Sequence, residues 1–94
     1  MSVFTKDPVG GWCTYFTVIQ PEPNFPYGRD AYGLVGPFAD EAEAKQARDI
    51  IATKREGKIH VMRCSFDTDY SPEMFEGLGS LQDSARCTIA ELAA

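Results

Sequence analysis

Few side chains in this 94-residue chain are of the types that do covalent or metal chemistry, and their spacing limits what they can do. There is one histidine, His60, and there are three cysteines, Cys13, Cys64 and Cys87. The period-two alternation of a strand would set His60, Met62 and Cys64 on one face. A zinc site joining His60 to two thiols would still lack its fourth ligand, and structural zinc takes four. Cysteines this far apart and odd in number suit neither a disulfide framework nor a zinc knuckle, and they read as buried free thiols. Asp67, Asp69, Ser71 and Glu73 alternate like the opening ligands of a calcium loop. Pro72 stands where such a loop needs glycine, and Leu78 where it needs a bidentate acid, so the pattern is not an EF-hand. No serine or cysteine motif is directed at His60, and the Gly10-Gly11 and Gly77/Gly79 pairs lack the context of a phosphate loop. The sequence therefore predicts no catalytic residue, no metal ligand and no cofactor: a non-enzyme.

Recognition chemistry is concentrated elsewhere. Residues 21–30 hold Pro21, Pro23 and Pro26, which remove N–H donors and fix φ, so the segment reads as a stiffened loop. Phe25, Tyr27 and Arg29 lie on it, with Tyr32 just beyond. Aromatic and Arg side chains on a stiff loop lose little entropy on binding, which makes these four the candidate partner-binding residues. The alternative is that Phe25 and Tyr27 fold back to close the sheet edge.

Charge narrows the partner. The net charge of −5 sits in residues 67–94, where six carboxylates face Arg86 alone, whereas residues 1–66 balance. No basic face is available to neutralise phosphates, so direct nucleic-acid binding is not expected. An acidic segment facing a basic partner, or simply maintaining solubility, fits better. No apolar run approaches the roughly 18–20 residues that span a bilayer. The start, Met1-Ser2-Val3-Phe4-Thr5-Lys6-Asp7, lacks a basic stretch followed by an apolar one, which predicts a soluble, cytoplasmic protein. The length implies a single domain over residues 1–94, with a core in 10–66 and an acidic helical segment in 67–94.

The elements that must position these groups are well marked. Residues 12–19 are rich in aromatic and β-branched types and carry large apolar groups on both faces, as a central strand covered on two sides would. Residues 31–36 form a second strand, ended by Gly36-Pro37. A helix follows from about Glu41 to Arg55, with Ala44, Ala47, Ile50 and Ile51 as its apolar stripe. Asp40 and Glu43 form a reciprocal capping box at its start, and Gly57 is placed to end it in a left-handed conformation. Residues 58–66 form the third strand. A short helical turn from Ser71-Pro72 would stop at Gly77 and Gly79, and a last helix would begin at Ser80 with Leu81, Ala85, Thr88, Ile89 and Leu92 on its apolar face. A right-handed crossover with the first strand inserted gives an α+β fold. It has a three-stranded antiparallel sheet in the order 31–36, 12–19, 58–66, a split strand-helix-strand unit and a C-terminal helix. One sheet face takes the helix from residue 40; the C-terminal helix, or failing that a second copy in a homodimer, would cover the other.

The run Tyr32-Gly33-Leu34-Val35-Gly36-Pro37-Phe38-Ala39-Asp40-Glu41-Ala42-Glu43-Ala44 resembles the second half of a SPOR domain, the peptidoglycan-binding module of cell-division proteins. The resemblance covers residues 31 to about 66. It implies a strand ending in Gly-Pro-Phe, a capped alanine-bearing helix and a closing strand, and with them glycan binding. The overall layout also resembles small proteins encoded by bacteriophages, which implies an accessory role on a bacterial host protein. Together these features predict a small non-catalytic protein-protein interaction module with an unidentified protein partner, the alternative being a SPOR-like glycan-binding domain.

The end, Leu92-Ala93-Ala94, is similar to that of a bacterial degradation tag read by unfoldase-protease machines; a frayed helix end is the other reading. Read as a tag, it predicts that changing Ala93 and Ala94 to Asp lengthens the half-life in bacterial cells. An unchanged half-life in a pulse-chase would remove the idea.

Overall fold

A computed structural model describes residues 3–21 and 31–94. Phe25, Tyr27 and Arg29, and the loop that carries them, lie outside the described residues. Three strands and two helices follow one another: β1 (Trp12–Pro21), β2 (Ala31–Phe38), α1 (Glu41–Ala52), β3 (His60–Asp67) and α2 (Pro72–Ala93). The sheet is antiparallel in the order β2-β1-β3, the α+β arrangement expected.

β1 pairs with β3 in unbroken register, from Trp12 opposite Asp67 to Ile19 opposite His60. The pairing with β2 is irregular. Phe16 faces Phe38, Val18 faces Val35 and Ile19 faces Gly33, so β2 carries an extra residue at each of two steps. One of these bulges lets neighbours Leu34 and Val35 both meet the helices, Val35 in the core and Leu34 packed against it. The other falls at Gly36-Pro37, through which β2 continues instead of stopping. Proline is tolerated there because β2 is an edge strand and a bulged residue makes no ladder bond. Gly36 has φ +145°, and a Cβ on it would stand 2.7 Å from Thr17 Oγ1 and 3.1 Å from Thr17 Cα.

Both helices contribute to a single core on one side of the sheet. α1 packs across all three strands, and α2 packs on β2 and along α1. Val18, Val35, Phe38, Ala44, Ala47, Ile51 and Ala85 form the buried core, flanked by Phe16, Ile59, Val61, Ile89 and Leu92. The alanines let α1 approach the strands closely, so its short stripe still excludes water. Phe38 is 1% exposed; sealing a side chain of this size contributes about 2–3 kcal/mol.

Several local expectations are corrected. α2 is one uninterrupted helix through Gly77 and Gly79, not a turn followed by a second helix. Its buried stripe is Leu78, Gln82 and Ala85, continued by Ile89 and Leu92, while Leu81 is 52% exposed. Two glycines cost about 1 kcal/mol each in a helix, and the burial of Leu78 and Ala85 on either side outweighs this. The cap of α1 is also simpler than a reciprocal box: Asp40 Oδ1 accepts from the Ala42 N–H at 3.0 Å. The Glu43 carboxylate turns instead to Arg86 of α2, taking Nε at 2.6 Å and the Nη2 nitrogen at 2.8 Å. A two-point, charge-assisted pairing with a guanidinium outcompetes a local bond to one N–H. α1 stops at Ala52 and not near Arg55, where Thr53 donates to the Ile50 carbonyl at 2.7 Å. Gly57 does take a positive φ, +98°, but in the loop beyond the helix end.

These backbones predict opposite outcomes for three glycines. Gly36→Ala should lower the unfolding free energy by about 2 kcal/mol, because the methyl meets Thr17 backbone at a strained φ. Gly77→Ala and Gly79→Ala should each raise it by about 0.5–1 kcal/mol, since nothing lies within 4 Å of either added Cβ. Urea denaturation of the three variants checks all three signs.

Candidate functional site

Strand alternation sends Cys13, Tyr15, Thr17 and Ile19 of β1 to the face away from the helices. Through the β1–β3 register they are joined there by His60, Met62, Cys64 and Phe66. None of these residues belongs to the helix-side core. The C-terminal helix reaches this face only at one end and does not cover the rest, contrary to the expectation above, because its Ala85, Ile89 and Leu92 join the core on the α1 side. The Glu43–Arg86 pairing and the Ala39 N–H bond to Gln82 Oε1, at 2.8 Å, hold it on that side.

The face is closed at one end and open over the rest. At the closed end Lys6 bridges to Cys13, and its ammonium lies 5.4 Å from the centre of the Phe75 ring on α2. Cys13 is fully buried there. Further along, Tyr15 and Phe66 meet edge-on with ring centres 6.0 Å apart. Tyr15, Ile19, Cys64 and Phe66 are half-buried, and Met62 is 42% exposed. Burial pushes the Tyr15 phenol upward, reinforced by the neighbouring Cys64 thiol, which shares a hydrogen bond with it, and by Cys13. Burial alone raises the Cys13 thiol. Among the described residues, the β1 and β3 side chains of this face include no carboxylate, ammonium or guanidinium. Such a surface offers apolar area and two weak polar handles, the Tyr15 hydroxyl and the His60 ring.

His60, Met62 and Cys64 do share a face, as alternation predicted, whereas Cys87 is exposed on α2. Among the described residues no three His, Cys, Asp or Glu side chains converge to hold a metal ion. Asp67 serves the turn that follows β3, its Oδ1 accepting from the Asp69 N–H at 2.9 Å. Of the candidate partner-binding residues, only Tyr32 falls within the described backbone, in β2 opposite Gln20. The acids of the C-terminal segment line the solvent side of α2, with Glu73, Glu76, Asp83 and Glu91 all exposed. A shallow groove of about 410 Å³ runs between α2 and the amino-terminal segment, lined by Val3, Phe4, Phe75 and Arg86 among others.

Tyr15, Ile19, Met62, Cys64 and Phe66 did not emerge as a site from the sequence. Their signal was present in the apolar character of both β1 faces, which reads equally well as double coverage. No family model, curated protein or solved structure matches the chain.

The raised Tyr15 and Cys13 values give a signed prediction. Each group ionises less readily folded than unfolded, so its contribution is complete below the unfolded pKa and is lost as pH rises through the folded one. The unfolding free energy should therefore fall as pH passes the ordinary thiol and phenol ranges, about 8.5 and 10. Tyr15→Phe should remove the phenol part of that fall in urea titrations across alkaline pH.

Proposed function

We propose that this protein is a small, non-catalytic, cytoplasmic interaction module, and that the open sheet face takes an uncharged apolar surface of a protein partner. The observation that carries the reading is the partly exposed row of Tyr15, Ile19, Met62, Cys64 and Phe66 on the sheet face that takes no part in the helix-side core. A contiguous apolar face at the surface is typical of interaction sites. Its lack of charge selects against nucleic acid, which needs cations to meet its phosphates. Acidic residues on α2 would steer a basic rim of the partner toward the molecule without entering the contact. The resemblance in layout to phage-encoded proteins points to a bacterial host protein as the partner.

A second reading, a SPOR-like domain that binds peptidoglycan glycan, is favoured by one observation: residues 31–66 run as strand, corner, capped helix and strand. Two measurements separate the readings. In a pull-down from bacterial lysate, a stoichiometric partner should be retained by the wild type and lost by Met62→Glu, a substitution at an exposed position. Retention by Met62→Glu would overturn the face as the site. Loss with the Phe25→Ala/Tyr27→Ala variant would add the loop to the surface. Co-sedimentation with purified peptidoglycan, unaffected by Met62→Glu, would replace the first reading with the second.

A further inference from the structure

The two edges of the sheet are protected very differently. β2 carries two bulges and Pro37, and α2 packs on it. These are the devices by which edge strands avoid pairing with other chains. β3 has no bulge, and the helix that meets it, α1, does so as it meets the other two strands. β3 runs for eight residues, His60–Asp67, with neither proline nor lysine. It pairs with β1 at every position without a bulge. Among the described residues, no backbone hydrogen bond from outside the β1 ladder reaches residues 60–66. One side of its peptide groups therefore faces outward in regular order, ready to template another strand.

We propose that this edge pairs antiparallel with the β3 edge of a second copy, so that two sheets join into one. The sequence of β3 singles out the register. A two-fold axis through the pair sets residues of equal parity opposite each other, because opposed side chains share a face. Only axes at Arg63 or Cys64 keep nearly the whole strand paired. The axis at Arg63 sets two guanidiniums directly against each other, and like charges in that position are destabilising. The axis at Cys64 sets Met62 opposite Phe66 on the open face and Arg63 opposite Ser65 on the helix side. Arg63 then lies diagonal to Asp67 of the second copy on one side and to its Arg63 on the other, so the like charges move from direct opposition to a diagonal at which each guanidinium also has a carboxylate within reach. Cys64 faces its own counterpart across the axis. The pairing extends the uncharged open face across both copies. It uses the edge and not that face, so it stands whether or not the face binds a host protein.

Ser65 provides the test, since it is exposed and its hydroxyl meets that of Thr14 at 3.1 Å. Ser65→Lys opposes Arg63 twice across the axis, and Ser65→Glu attracts it twice. Both lose the same contact with Thr14, so a difference between them reports charge alone. Sedimentation equilibrium should show a wild-type dimer whose dissociation constant rises about tenfold in Ser65→Lys and falls by a similar factor in Ser65→Glu. In a Cys87→Ser background, a short bis-maleimide should link two chains through Cys64, with Cys13 shielded by burial. A wild-type chain that stays monomeric throughout the concentration range overturns the proposal. So does a dimer that is indifferent to charge at Ser65 and is not linked through Cys64, because its contact must then lie elsewhere, such as between two open faces.

Discussion

Everything on the helix side converges on the corner where β2 becomes α1. Phe38 closes β2 and is sealed against Phe16 across the sheet and Ala47 of α1 in the same core. One residue on, the Ala39 N–H is taken by Gln82 of α2, and the next residue, Asp40, caps α1. Three elements thus depend on three consecutive residues. The Glu43–Arg86 pair, about 30% exposed on either side, ties the two helices together just above this point. Its geometry is bidentate, so it fixes orientation more than a surface ion pair of similar exposure would. The Glu43 hydrogen bond, set against some burial, raises the Arg86 pKa further, which keeps the guanidinium charged wherever the protein folds.

Placing both helices on one side has a direct consequence for the other. A three-stranded sheet with one covered face leaves a second face that water wets, and antiparallel sheets commonly make that face polar. Here it is not polar. The chain has kept Tyr15, Ile19, Met62 and Phe66 where Thr, Lys or Glu would serve solubility better. The exposed acids Glu73, Glu76, Asp83 and Glu91 are gathered instead on α2. That separation of apolar surface from charge is the main physical argument for binding as the role of the molecule.

The amino-terminal segment fits the same scheme. β2 ends opposite Phe16, four residues into β1, and this leaves the start of β1 without a β2 partner on that side. Lys6 fills part of the gap by bridging to Cys13, and Asp7 donates its N–H to the Trp12 carbonyl at 2.7 Å. On the other side of β1, Gly11 meets Thr68, whose hydroxyl and N–H both reach the Gly11 carbonyl, at 2.6 and 3.0 Å. Thr68 is one of two buried polar side chains among the described residues, and this pair of hydrogen bonds explains how it is accommodated.

Strand order, the α1 stripe and the position of the corner were legible in the residues. Periodicity and turn chemistry are local, and β1, β2 and α1 each carry strong local signals. The length of α2 was not legible, because glycines read as stops until the burial of Leu78, Gln82 and Ala85 is known. Asp40 was legible as the cap, although it takes the Ala42 N–H and not that of Glu43; the partner of the Glu43 side chain was not, since Arg86 lies 43 residues away and no local pattern announces it. The candidate surface was obscured for a related reason. An apolar residue on a strand records that its surroundings are apolar, not whether they belong to the same chain. By itself the sequence determined which segments would be strands and helices and which side chains would share a face. Only the tertiary structure decided that both helices pack on one face, because that choice rests on long-range pairings between α2 and the β2–α1 corner.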